Sequence, residues 1–383
     1  MKRRQLLTLL ATAGTGGCLS FQEAGQSNTT TRTGTGTTAE PNSTQQSTDT
    51  PSDYASTAAS VETVQTLPLD ITALSAAGSS YSVATYEQVQ LRKFGSSTPK
   101  STLEITLNSP VLELTDSACY VGSRVSDSGA STIHRFDPES GQQQAQTQIE
   151  GYIEGLTAIG NLLVCSTVEE SSAYEERYAN RIIAVDRTSL EQQWTNAVGN
   201  DAFPSSVTRL DDTLHVGFSN FLVGFAVSDG TIQYRAPLTT GYPVAYQGDL
   251  IADVNRKLRR INTETLEYEW SVGSEVAGRP VFVGDSVAAP TTDGIMCATL
   301  ADGQQRWSRT LEDVSGLTPD RLVYQDGLLW YGTATEELYG LVPTTGETAF
   351  SMDADLTHIA ATTQGVVINS GYETLELQIA LAE

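Results

Sequence analysis

Residues 300–308 read LADGQQRWS, and residues 227–236 read VSDGTIQYRA. Each places an aromatic four residues after a glycine in a short polar turn. Aligning the turn positions Gly141, Leu190, Gly230, Leu266, Gly303 and Gly346 puts Ala145, Trp194, Tyr234, Trp270, Trp307 and Phe350 four residues on. Five of those six are aromatic in a chain that is 7% aromatic, so the pattern is a repeat. An apolar run with a polar exit precedes each turn, as in IIAVDRTSL (182–190), LRRINTETL (258–266) and LYGLVPTTG (338–346). After each aromatic come another apolar run, a tight turn such as Gly248-Asp249, Gly284-Asp285 or Asp326-Gly327, and a further run: LIADV, SVAAP, LLWYG.

The aligned positions lie 49, 40, 36, 37 and 43 residues apart. Four short strands with tight turns in about 40 residues make one blade of a β-propeller. A lone blade has two apolar faces it cannot bury, so each packs between neighbours and the ring leaves only short edges. The turn closes the outer hairpin. The aromatic after it is expected to wedge between adjacent blades, burying roughly 150–250 Å². Counting gives a degenerate blade over 71–107, six regular blades ending near 148, 198, 238, 273, 310 and 352, and a partial unit over 357–383. VETVQTLPL at 61–69 can supply the outer strand that the last unit lacks. The sequence therefore predicts an all-β, eight-bladed propeller of four-stranded antiparallel blades over 61–383, closed by pairing its two ends. Without that closure the count falls to seven.

The wording of the repeats, a D-x-x-T-G-like turn followed by Trp, resembles the pyrroloquinoline-quinone-type propeller repeat. ADGQQRW (301–307), TTGETAF (344–350) and SDGTIQY (228–234) carry the likeness, while 186–194 and 262–270 have Leu in place of Gly. WD40 repeats fit worse, because no Trp-Asp or Gly-His pair occurs. The resembled family includes quinoprotein alcohol dehydrogenases and the lipoprotein scaffold of the bacterial outer-membrane assembly machine. A quinone (PQQ)-dependent dehydrogenase implies a tryptophan-floored pocket on the axis, Ca²⁺ held by oxygen ligands, a catalytic Asp and, in many members, a disulfide between adjacent cysteines. This chain has no Cys-Cys pair and is short for that class.

The chain carries 46 Asp+Glu against 22 Lys+Arg, a net charge of -24, and only four lysines (Lys2, Lys93, Lys100, Lys257). Nucleic-acid binding draws on clustered Lys/Arg and is not expected. Scarce lysine beside abundant carboxylates and Thr resembles proteins of salt-loving archaea, whose self-repulsion is screened at a Debye length of ~3 Å or less. Residues 1–18, MKRRQLLTLLATAGTGGC, have the form of a signal peptide, too short to span a membrane as a helix. Arg3 and Arg4 resemble the twin-arginine export signal, and TGGC at 15–18 resembles a lipobox that would lipidate Cys18. From 27 to 60, 17 of 34 residues are Ser or Thr. Such a tract cannot bury enough surface to offset its ordering entropy, so 19–60 reads as a disordered tether, with a span of ~35 Å as a flexible coil. Asn28 and Asn42 head N-x-[ST] sequons within it.

Catalytic motifs are missing: no GxSxG, HExxH, P-loop or GxGxxG occurs. Cys119, Cys165 and Cys297 sit in apolar runs and read as core residues, and His134, His215 and His358 come from different repeats. The 49-residue interval holds an insertion, VEESSAYEERYANR at 168–181, whose Glu169, Glu170, Glu175 and Glu176 form a candidate partner loop. The expectation is a monomeric, lipid-anchored, exported propeller on the extracytoplasmic face of the cell membrane. It acts as a scaffold for an unidentified protein or surface ligand, without catalytic, metal or cofactor residues. A quinone dehydrogenase and a glycan-binding or sensory module are the alternatives.

Overall fold

The computed structural model describes residues 60–125, 128–169, 179–199, 204–238, 240–273, 275–311, 322–333 and 337–380. Among them every regular element is a β-strand, and the strands form eight separate four-stranded antiparallel sheets. The first strand, β1, spans Ser60–Leu67 and belongs to the last blade. Blade 1 is β2–β5 (Ala73–Ala77, Ser80–Ala84, Gln88–Lys93, Ser101–Glu104), and blade 2 is β6–β9 (Val111–Thr115, Ala118–Val125, Ala130–Phe136, Gln143–Glu150). Blade 3 is β10–β13 (Tyr152–Ile159, Leu162–Glu169, Ala179–Asp186, Gln192–Gly199), and blade 4 is β14–β17 (Pro204–Leu210, Thr213–Phe218, Leu222–Ala226, Ile232–Ala236). Blade 5 is β18–β21 (Thr240–Tyr246, Asp249–Val254, Lys257–Asn262, Tyr268–Val272), and blade 6 is β22–β25 (Val281–Val283, Ser286–Thr291, Gly294–Thr299, Gln305–Thr310). Blade 7 is β26–β29 (Leu322–Gln325, Leu328–Gly332, Glu337–Leu341, Thr348–Asp353), and blade 8 is β30–β32 (Leu356–Thr362, Gly365–Ser370, Glu373–Ala380) with β1 outside β32.

The eight-blade reading holds, and so does the closure. β1 pairs with β32 from Ser60↔Ala380 to Leu67↔Thr374, with one bulge between Thr63 and Gln65. Buried polar groups join the closing blades as well: Tyr81 on β3 donates its hydroxyl to Glu376 Oε1 on β32 at 2.6 Å, and Glu376 Oε2 accepts the Gly95 N–H. Eight apolar clusters fill the described core, one at each seam between adjacent blades. Neighbouring blades thus bury what neither can bury alone.

Six outer hairpins share one turn. The turn residue's N–H donates to the carbonyl four residues back, as in Gly141→Asp137, Leu190→Asp186, Gly230→Ala226, Leu266→Asn262, Gly303→Thr299 and Gly346→Val342. All six turn residues are left-handed, with φ between 59° and 73°, including Leu190 and Leu266 where the repeat departs from glycine. Asp137, Asp186 and Asn262 stabilise their turns by accepting two backbone N–H bonds each.

Beyond the shared turn the blades diverge. Trp194, Trp270 and Trp307 reach across the seam onto the next blade's turn, donating Nε1–H to the carbonyls of Val227 (3.1 Å), Leu300 (3.1 Å) and Pro343 (2.7 Å). There they meet Gly230, Gly303 and Gly346, where a Cβ would stand 2.4–2.6 Å from the indole. Glycine is required at those turns for space as well as for φ. Tyr234 and Phe350 behave otherwise. Each is paired in register with a glycine of its own blade, Gly224 and Gly340, and lies back against it. The Trp residues face Ala184, Arg260 and Cys297 at the equivalent register position, so no such hollow is open to them. The expected wedge onto the neighbouring blade therefore holds for the three tryptophans, while Tyr234 and Phe350 line their seams from within their own blades. Leu266 packs in the seam beside Tyr234, and Leu190 packs beside Ala145, in the places that a tryptophan takes elsewhere.

Candidate interaction face

Antiparallel strands running from the axis outward give the ring two unlike faces. Connections from first to second and from third to fourth strand lie on one, here called the lower face. Connections from second to third strand, and from each blade to the next, lie on the upper face. The six shared hairpin turns make the lower face repetitive. The upper face is where the blades differ: its second-to-third connections range from two residues, 255–256, to the segment 170–178 between β11 and β12. Ser60 and Ala380 are paired at the lower end of blade 8.

Upper-face turns carry the most exposed large hydrophobic side chains among the described residues. Tyr372, between β31 and β32, is 81% exposed, and Tyr86, between β3 and β4, is 62% exposed. Blades 8 and 1 are neighbours in the ring, and both turns are held in place. The Gly371 N–H donates to the Asp355 carbonyl (2.9 Å), and the Leu107 N–H donates to the Tyr86 carbonyl (2.8 Å). Between the two turns runs the connection 68–72, tied to blade 8 by Asn369 Nδ2 and Thr374 Oγ1 donating to the Leu69 carbonyl.

Towards the axis, side chains on innermost strands cap backbone N–H groups of the next blade. The Leu114 N–H donates to Ser75 Oγ (2.7 Å), the Ala245 N–H to Thr208 Oγ1 (3.2 Å), and the Ala158 N–H to Glu113 Oε1 (3.0 Å). Glu113 puts a carboxyl where its counterparts use a hydroxyl. It is 3% exposed, and burial pushes its pKa up to about 8 against the opposing pull of the Ala158 N–H, Arg187 and Arg279. In the sequence it is set apart only as one acidic residue in the apolar run VLELT, a pattern that matches no catalytic or binding motif.

A model of the protein family described as outer membrane protein assembly factor BamB matches residues 129–324 and 235–372, together well over half the chain. The chain belongs to this family. No curated protein matches it in sequence. Solved structures share its fold at low identity. BamB from Moraxella catarrhalis aligns with a TM-score of 0.64 at 14% identity, covering 83% of this chain and 100% of that one. Saccharomyces cerevisiae Sqt1 aligns at 0.61 and 14% identity, covering 85% and 98%. Quinohemoprotein alcohol dehydrogenase ADHIIG from Pseudomonas putida HK5 aligns at 0.58 and 9% identity, covering 84% and 77%.

A quinone pocket would need a free tryptophan floor and oxygen ligands for calcium, and the described residues do not fit one. Trp194, Trp270 and Trp307 are engaged with neighbouring turns. Trp330, on the second strand of blade 7, is fully buried and donates Nε1–H to the Gln325 carbonyl at 3.1 Å. None of the four is left to floor a flat pocket. Among the described residues no group of three or more His, Cys, Asp or Glu could hold a metal ion. Cys119, Cys165 and Cys297 are buried free thiols; burial raises all three pKa values, to about 12 for Cys119 and about 11 for Cys297. Such thiols are poor nucleophiles and poor ligands. The histidines stay apart on blades 2, 4 and 8. His134 bonds Gln143 and stacks on Phe136, His215 bonds the Tyr234 hydroxyl, with burial lowering its pKa to about 4, and His358 bonds Thr357.

Arg3, Arg4, Cys18, Asn28, Asn42, Glu170, Glu175 and Glu176 lie outside the described residues; Glu169 ends β11. The described strands on either side of the acidic insertion are β11, ending at Glu169, and β12, starting at Ala179.

Proposed function

We propose that the chain is an exported, lipid-anchored propeller that serves as a non-catalytic protein-interaction scaffold outside the cytoplasmic membrane, and that it works as a monomer. The observation that carries this reading is the placement of the tryptophans: all four are engaged in the ring's architecture, so the fold is built rigid and its distinct chemistry is left to the upper-face connections. BamB-family membership supports a scaffold role. Neither a quinone nor calcium is proposed as a cofactor. Arg3 and Arg4 would direct export, Cys18 would carry lipid, Asn28 and Asn42 would be glycosylation sites, and the Glu169–Glu176 loop would be one contact for a cation or basic partner.

Crosslinking in intact cells followed by mass spectrometry tests the reading. A specific protein crosslinked to the ring, together with a lipid-modified peptide beginning at Cys18, is the expected result. Capture of carbohydrate instead would favour the glycan-binding alternative, and Ca²⁺-dependent quinone binding with a new absorbance band would favour the dehydrogenase.

A further inference from the structure

Elsewhere on the ring the protein's own arginines cover aromatic side chains, among them the exposed Tyr268 and the buried Phe221. Arg259 lies 4.0 Å from the ring centre of Tyr268, Arg235 lies 3.8 Å from that of Phe221, and Arg124 lies 5.1 Å from that of Tyr152. Tyr86 and Tyr372 are more exposed than any of these, and among the described residues no arginine covers either. The charged side chains of the turns and connections that carry or adjoin them have one sign, while His358 stands opposite Asn369 on the neighbouring strand. Exposed Asp70, Glu87, Asp355 and Glu373 lie in the connections and turn edges that surround the two tyrosines, and those stretches, 68–72, 85–88, 354–355 and 369–373, contain no Lys, Arg or His. Two aromatic rings held on fixed turns, with few rotatable bonds to freeze, are suited to anchoring a partner. Rimmed by carboxylates, they suit a cation seated over the ring face.

We propose that the upper face over blades 8 and 1 docks a basic segment of a partner protein, its Lys or Arg side chains stacking on Tyr86 and Tyr372 between the four carboxylates. The proposal rests on the scaffold reading and narrows it to one surface and one partner chemistry. Any partner crossing that surface also lies over the connection 68–72, the link between the closing strand and blade 1.

Two measurements on the full chain, in salt that keeps it folded, test it. The first titrates a 12-residue peptide of alternating Arg and Gly, with its Glu-Gly counterpart as control, against wild type, a Tyr86→Ser/Tyr372→Ser double variant and a Tyr268→Ser variant. The expected result is at least tenfold weaker binding of the Arg peptide by the double variant, with Tyr268→Ser and the melting temperature unchanged. Equal binding by wild type and double variant would mean that the peptide reads only the net charge, and would overturn the proposal. The second places a photo-crosslinking amino acid at 86, 372 or 268 in intact cells and sequences what is attached. Lys/Arg-bearing protein segments from 86 and 372 support the proposal; acidic or uncharged segments there, or protein captured only from 268, overturn it while leaving the scaffold standing. Protein captured from none of the three positions, with carbohydrate in its place, would overturn the scaffold reading itself.

Discussion

In the five blades that carry the repeat aromatic, one side chain sets where its ring goes. Where the residue ten positions before the aromatic is glycine, as at Gly224 and Gly340, the ring lies back on its own blade, as an aromatic covering a strand glycine does elsewhere. Where it is larger, the indole crosses the seam and the following turn must be glycine. The repeated turn was legible in the sequence, but this branching was not, because it depends on register across a hairpin. Truncating Trp307 to Ala is expected to cost ~3–5 kcal/mol in denaturant unfolding. Gly303→Leu should cost a comparable amount by colliding with Trp270. The Trp270→Ala/Gly303→Leu double variant, which copies the Ala145 and Leu190 arrangement, should recover stability relative to Gly303→Leu; strictly additive losses would refute the complementarity. Glu113 offers a second test. Its folded pKa, about 8, lies above the ordinary 4.5, so its contribution to stability is complete below about pH 4.5, falls as pH rises towards 8 and is flat beyond. Glu113→Gln keeps the acceptor for the Ala158 N–H. Wild type should therefore lose stability relative to this variant between pH 5 and 8, by as much as ~1.4 kcal/mol per pH unit. Parallel melting curves across that range would show that the buried carboxyl does not couple folding to pH.

At the scale of strands, the decisive element is β1. Its assignment to the last blade was readable from counting, since three apolar runs at the C-terminal end left one strand short and one unassigned run stood near the other end. The Tyr81–Glu376 contact across the same seam was not readable, because two residues 295 positions apart carry no local signal. Cutting after His358 removes β31 and β32 and leaves β1 without a partner. Urea and thermal melts of that truncation should lose the single cooperative transition, and a truncated chain melting at the wild-type temperature would sink the idea that closure holds the ring. The exposed Tyr86 and Tyr372 were likewise hidden in the sequence, where each is one tyrosine among 15 and only its place on an upper-face turn sets it apart.

For the whole molecule, charge governs the conditions under which the ring holds. A net charge of -24 destabilises a compact state by self-repulsion, and salt screens it. The melting temperature should therefore rise steeply with KCl into the molar range; a protein equally stable at about 50 mM and about 2 M would not be adapted to brine. The closure has a further consequence, in the timing of biosynthesis. β1 is among the first strands to be made and its only partner among the last, so the ring cannot close during synthesis and must wait until residue 380 has cleared the ribosome. Until then β1 lacks the strand it pairs with in the folded ring. An export route that accepts only folded cargo would then inspect every copy for completeness, because a chain that stops short never forms the ring.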